Sequence, residues 1–369
     1  VSYLSAIKGR IPFLNFFDGF RTSHEYNKID VIDLEKVKKL IDTHALYNFR
    51  HRSLDISNPS TRGTNQGDAI YFENMESRNK YYDSLPDIVD DYMKEINNIT
   101  GRDYKPFNYY GNKNASHIIV AMGSVCETIK EYIDLSNDNN IGLIEVHLYR
   151  PFSSKFFLKV LPKSVKRIAV LDRTKEPGAG KEPLCLDVED IVKTFDLDIE
   201  VVGGRYGLSS KNTNLNDIEA VYNYLNTDSI RAFTIGINDD VTNLSLERTN
   251  TIFNKDYDEM LIYGYGSDGM VTTSKDILTI VGENTDKFVQ GYFEYDSKKS
   301  GGVTKSHLRF SNNPIRSTYY VENPKIVVCS KDTYLNKFDM IDNILDNGVF
   351  ILNTEHDNIK LPKNYIDII

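Results

Sequence analysis

The chain has 369 residues, of which 40% are hydrophobic, 26% charged and 11% aromatic, and it carries a formal net charge of -9. That length exceeds one ordinary core and predicts two or three domains. No apolar run approaches the roughly 18 residues a membrane span needs, and the acidic balance disfavours a dedicated nucleic-acid binder. The first residue is Val1, and the chain reads as a piece of something longer. Cys126, Cys185 and Cys329 are too far apart for a zinc or cluster ladder and read as buried free thiols in a reducing, intracellular compartment.

In chain order, the apolar run Ile11–Phe17 before Asp18-Gly19 predicts a buried strand ending in a turn. Val37, Leu40 and Ile41 behind an Asp cap predict one helix over Asp33–Leu46, and the polar stretch His51–Gly67 a surface loop. Tyr81, Leu85, Ile88, Val89, Tyr92, Met93 and Ile96 recur at helical spacing, so a long helix runs from about Asn74 to Thr100-Gly101. From Ser116 to Val202 strands at 118–122, 141–146, 168–172 and 199–202 alternate with helices at 127–134, 155–161 and 188–195, the pattern of a parallel, doubly wound sheet. Asp239–Lys255 reads as a linker. A second alternating unit then has strands at 260–266, 288–295 and 326–329 and a helix at 273–281.

Three loops follow predicted strands and could carry chemistry. Gly264-x-Gly266-Ser267-Asp268-Gly269 opens a helix, so its glycines and free N–H groups fit either a phosphate-bearing ligand or a turn that simply requires glycine. Tyr295-Asp296-Ser297-Lys298-Lys299-Ser300-Gly301-Gly302 puts two ammonium groups beside a Gly-Gly loop, as a phosphate contact or a solvated hairpin pair. Leu171–Gly180 gathers Asp172, Arg173, Lys175 and Glu176, as an interdomain contact or a catalytic edge. Gly123-Ser124-Val125-Cys126-Glu127 resembles an anion-binding strand-to-helix turn, although Cys126 has no identifiable base and reads as a buried thiol. The seven histidines form neither HxH nor HExxH spacing, and no GxSxG elbow or Walker loop appears.

Taken together, Phe16–Glu25, Tyr104–Phe107, Ala121–Thr128, Leu148–Phe152, Leu171–Ala179, Gly266–Gly269, Tyr295–Thr304, Ser306–Phe310 and Pro314–Tyr319 resemble the pyruvate:ferredoxin oxidoreductase family, in order, across nearly the whole chain. One departure stands after the GSDG loop: Met270-Val271-Thr272-Thr273-Ser274-Lys275 replaces the family's Thr-Val-Gly-Ala-Asn-Lys.

The resemblance implies an α/β chain of two doubly wound parallel-sheet units, preceded by the C-terminal part of a thiamine-associated, pyrimidine-type domain. The implied boundaries are 1–100 for that part and its linker, 101–250 for a transketolase C-terminal-like domain, and 251–369 for a partial coenzyme A-binding domain. It implies an enzyme that converts pyruvate and coenzyme A to acetyl-CoA and CO2 on thiamine diphosphate with Mg, passing electrons through 4Fe-4S clusters to ferredoxin or flavodoxin. Coenzyme A would be held by Gly266, Ser267, Asp268, Gly269, Met270 and Val271 with Lys298 or Lys299. This segment would contribute binding and interdomain structure, with no catalytic or metal-ligating residue, and would be inactive alone. Its partners would be the remaining domains of the same chain and a second copy in a homodimer, in the cytoplasm or a mitochondrion-derived organelle, with neither nucleic acid nor membrane. A pyruvate:NADP oxidoreductase core and a non-catalytic scaffold descended from the family are the alternatives.

Overall fold

The computed structural model describes residues 1–60, 65–296 and 302–356. In chain order the elements are α1 (Ser2–Gly9), β1 (Tyr26–Asn27), α2 (Leu34–Lys38), α3 (Thr43–His51), α4 (Tyr71–Glu76), α5 (Asn79–Thr100), β2 (Phe107–Gly111), β3 (His117–Ala121), α6 (Val125–Ser136), β4 (Ile141–Val146), α7 (Ser154–Val160), β5 (Arg167–Asp172), α8 (Pro183–Thr194) and β6 (Glu200–Arg205). There follow α9 (Leu215–Leu225), β7 (Phe233–Thr234), β8 (Tyr257–Tyr265), α10 (Met270–Asn284), β9 (Phe288–Tyr295), β10 (Val303–Ser311), β11 (Ile326–Cys329) and β12 (Val349–Leu352). No helix among the described residues is long and apolar enough to cross a membrane.

The chain divides into two interleaved units. The first comprises Val1–Phe16, Asp30–Gly123 and Asp138–Gly204, and the second Phe17–Ile29, Ser124–Asn137 and Arg205–Ile369. In the first unit the strand order is β2-β4-β3-β5-β6. β3 pairs in parallel with β4 and β5, as the strand-helix alternation predicts, and β2 is added antiparallel to β4 at the edge. Ile118, Val120, Ile144, Ile168 and Val170 form its core with Phe157 of α7 and Leu184, Val188 and Ile191 of α8.

The long predicted helix is α5, and its periodic residues Leu85, Val89, Tyr92, Met93 and Ile96 are buried, each such burial being worth about 1.5–3 kcal/mol. Gly101 ends it in the left-handed region at φ 71°, where a side chain would be strained. The single helix predicted over Asp33–Leu46 is instead two. Asp33 caps α2 by accepting from the Glu35 and Lys36 N–H groups, and Asp42 starts α3 afresh by accepting from Ala45 N–H. A second Asp with cap geometry outcompetes continued helix locally.

The buried strand expected over Ile11–Phe17 is also corrected. Ile11 and Phe13 pack on the Leu85–Met93 cluster, but Leu14, Phe16 and Phe17 are 84%, 59% and 65% exposed and no ladder forms. Hydrophobicity supplies no partner for backbone N–H and C=O groups, and Pro12 lacks an N–H to offer.

In the second unit the strand order is β1-β9-β10-β8-β11-β12. β8, β11 and β12 run parallel, whereas β10 lies antiparallel to both β8 and β9. The α/β class and the two sheets thus stand as expected, but each sheet is mixed rather than all parallel, the first through its edge strand β2 and the second through β1, β9 and β10. Seven residues separate β9 from β10, too few for the crossover a parallel pair requires. Side chains along β8 alternate faces: Leu261 and Tyr263 join the core with Val327, Tyr334 and Phe350, while Ile262 joins Leu278, Val289, Phe293 and Leu308 beneath α10.

Candidate functional site

The carboxyl end of β8 runs directly into the glycine loop and α10. Ser267 at φ 78° and Gly269 at φ 87° turn the chain, and Gly269 is the N-cap of the helix. Asp268 points back into this turn. One carboxylate oxygen accepts from Met270 N–H at 2.9 Å, and the other accepts from Tyr265 N–H at 2.6 Å and from the Ser330 hydroxyl at 2.8 Å. Its carboxylate therefore shapes the loop. Gly266 N–H donates to Gly302 C=O and Asp268 N–H to Tyr265 C=O, both at 2.8 Å. By helix geometry the N–H groups of Val271 and Thr272, in the first turn of α10, have no intrahelical acceptor.

These groups border a cavity of about 490 Å³ lined by Tyr265, Gly266, Ser267, Asp268, Gly269, Val271 and Thr272 from β8 and α10, and by Tyr295, Asp296, Gly302, Val303 and Thr304 from β9 and β10. The two sequence-predicted loops thus meet at one sheet edge, because β10 returns antiparallel between β9 and β8. Met270 opens the helix and packs with the cluster under it. Lys298 and Lys299 lie outside the described residues, but Asp296 and Gly302, which bracket them in the chain, both line the cavity.

Two features of this edge escaped the sequence reading. Lys331, just past β11, holds its ammonium 4.5 Å over the Tyr265 ring and supplies a cation beside the loop. Thr304 lines the cavity, is 9% exposed, and its hydroxyl has no hydrogen-bond partner among the described residues. The carboxyl-edge rule for parallel strands would have singled out Lys331 had β11 been placed beside β8.

The other two loops hold their own units together. Asp172 accepts from Leu184 N–H at 3.0 Å and Cys185 N–H at 3.1 Å, capping α8, and burial pushes its carboxyl up to about 6 against those bonds. Glu182 accepts from Glu176 N–H at 2.9 Å. The anion-like turn at Ser124 is real, and its anion comes from the chain: Asp18 accepts from Ser124 N–H at 2.5 Å. All three cysteines are buried and none forms a disulfide among the described residues, and burial drives the Cys185 thiol up to about 12, removing it as a nucleophile.

Three family profiles match in succession: "Pyruvate flavodoxin/ferredoxin oxidoreductase, thiamine diP-bdg" over residues 1–94, "Pyruvate:ferredoxin oxidoreductase core domain II" over 115–218, and "Pyruvate ferredoxin/flavodoxin oxidoreductase" over 259–368. The chain belongs to the pyruvate:ferredoxin (flavodoxin) oxidoreductase family. It is 46% identical to the pyruvate-flavodoxin oxidoreductase of Klebsiella pneumoniae, across 99% of this chain and 32% of that protein. It is 47% identical to the pyruvate:ferredoxin oxidoreductase of Moorella thermoacetica, across 96% of this chain and 31% of that one. The pyruvate dehydrogenase (NADP+) of Cryptosporidium parvum is 44% identical, across 96% of this chain and 19% of that protein. The chain spans about a third of the length of the first two relatives.

Proposed function

We propose that this chain is the coenzyme A-binding and interdomain segment of an enzyme that oxidatively decarboxylates pyruvate with coenzyme A to acetyl-CoA and CO2, handing electrons to ferredoxin or flavodoxin. The observation that carries the reading is the cavity at the start of α10, bordered by first-turn N–H groups and the Thr304 hydroxyl and lined by Asp296 and Gly302, which flank the two lysines in the sequence. Phosphate oxygens suit that donor set, since helix N-termini favour anions. Gly266, Ser267, Gly269 and Val271 would form the cradle, Asp268 keeps it in shape by accepting from Met270 N–H, which removes Met270 from the expected contacts, and Lys298 or Lys299 would neutralise the phosphates. The thiol would then reach toward a two-carbon unit held elsewhere in the whole enzyme.

The same reading gives the whole enzyme thiamine diphosphate, which the thiamine-domain profile over residues 1–94 supports, and assigns Mg and the 4Fe-4S clusters to other parts of the protein. The three profiles support a division at 1–100, 101–250 and 251–369. A homodimer in the cytoplasm, or in a mitochondrion-derived organelle, completes the proposal. The match to a pyruvate dehydrogenase (NADP+) favours a second reading, in which the same core delivers its electrons to NADP.

Calorimetry of coenzyme A binding to the purified protein, at low and moderate salt and with desulfo-CoA as control, tests the site. Binding that weakens with salt and with Lys298→Ala or Lys299→Ala is expected. A folded protein that fails to bind coenzyme A overturns the assignment.

A further inference from the structure

The sheet geometry sets Thr304 apart. In register, Thr304 of β10 faces Gly264 of β8 on one side and Tyr295 of β9 on the other. Alternation along β10 puts Thr304 on the same face as Leu308, the face α10 covers, at the edge where α10 begins. A Cβ at Gly264 would come within 2.6 Å of the Thr304 hydroxyl oxygen, 2.8 Å of Met270 Cβ and 3.4 Å of an Asp268 carboxylate oxygen. The hydroxyl therefore lies over the bare backbone of Gly264 and beside the first residue of α10.

Among the described residues, Thr304 is the cavity-lining residue whose buried side-chain polar atom has no hydrogen-bond partner. An unmet buried hydroxyl is destabilising, and valine would fill the same β-branched volume without that cost. The nearby Asp268 carboxylate already accepts from Met270 N–H, Tyr265 N–H and the Ser330 hydroxyl. The first-turn N–H groups of Val271 and Thr272 are donors without an intrahelical acceptor, and a ligand oxygen placed there would accept from them and from the hydroxyl alike.

We infer that Thr304 is a ligand-binding residue of this cavity, donating its hydroxyl hydrogen to an oxygen of the bound anionic ligand at the floor beneath the α10 N-terminus. The inference rests on the coenzyme A reading of the same cavity and adds a specificity contact outside the glycine and lysine loops. It also gives Gly264 a role: a bare backbone there leaves room for the hydroxyl to stand against the loop.

The test pairs coenzyme A calorimetry with thermal melting for the wild type, Thr304→Val and Thr304→Ser. The expected result is that Thr304→Val binds coenzyme A about ten- to a hundredfold more weakly, with a melting temperature equal to or above wild type, and that Thr304→Ser restores most of the affinity. Wild-type binding with Thr304→Val unchanged overturns the inference and leaves the cavity assignment standing. Affinity and melting temperature falling together make the hydroxyl structural and overturn it as well. A folded wild type that does not bind coenzyme A overturns both readings.

Discussion

Arg309 on β10 and Glu259 on β8 face each other as register partners and share a 2.8 Å charge-assisted hydrogen bond, with Arg309 wholly buried and Glu259 5% exposed. Arg309 also donates to the Gln290 side chain at 3.0 Å and to Tyr319 C=O at 2.8 Å, so one guanidinium ties β10 to β8, to β9 and to the segment after β10. Neighbouring acidic groups, Glu259 first, hold its pKa above the ordinary arginine value against the opposing effect of burial.

Arg309→Met is expected to destabilise the second unit by about 1–3 kcal/mol, because it removes one of the two cations on the buried Glu259 carboxylate, leaves Lys255 at 3.2 Å as the other, and strips the Gln290 and Tyr319 acceptors of their donor. Adding Glu259→Gln to that variant recovers part of the loss. Urea unfolding followed by tyrosine fluorescence and circular dichroism reads both, and a double variant no more stable than the single one would refute the pairing as the source of the cost.

Gly264→Ala probes the tight approach at the base of the glycine loop. The added methyl meets the Thr304 hydroxyl at 2.6 Å and Met270 Cβ at 2.8 Å, so either β10 or the start of α10 must shift. A loss of about 1–3 kcal/mol is expected, together with weakened coenzyme A binding. Stability measured by thermal melting and affinity by calorimetry should fall together here, in contrast to the separation expected for Thr304→Val.

Asp172 makes the first unit's stability depend on pH. Burial raises its carboxyl to about 6 in the folded chain from an ordinary value near 4. Between those limits the folded chain holds a proton that the unfolded chain has released, so this group's contribution to stability falls as pH rises through the window and is constant above it. Asp172→Asn stays neutral throughout. Its stability relative to wild type should therefore improve by about 1–2 kcal/mol between pH 4 and pH 7, after discounting for solvent screening. Denaturant titrations at both pH values decide it, and an unchanged difference counts against the raised carboxyl.

Asn214 starts α9 with a reciprocal capping box: its side chain accepts from Asp217 N–H at 3.1 Å and Asp217 accepts from Asn214 N–H at 2.9 Å. Asn214 also donates to Glu322 at 2.5 Å. Asn214→Ala is expected to cost about 1–2 kcal/mol, read as an earlier urea midpoint with an unchanged slope.

Local pattern alone determined much of this molecule. The strands over 288–295 and 326–329 have the limits their sequence predicts, and α5 buries the residues its period marks, because alternation and 3.6-residue spacing are properties of neighbours in the chain. The two glycine-bearing loops were legible for the same reason, as glycine and turn chemistry at strand ends. Pairing was not legible locally. That β10 inserts between β8 and β9 and carries Thr304 to the start of α10, that β2 joins β4 as an antiparallel edge, and that Asp18 fills the turn at Ser124 are decided by partners up to 106 residues away. Ile11–Phe17 carries strand-like composition but finds no ladder, since backbone hydrogen bonds need a neighbour that only the tertiary fold can bring alongside.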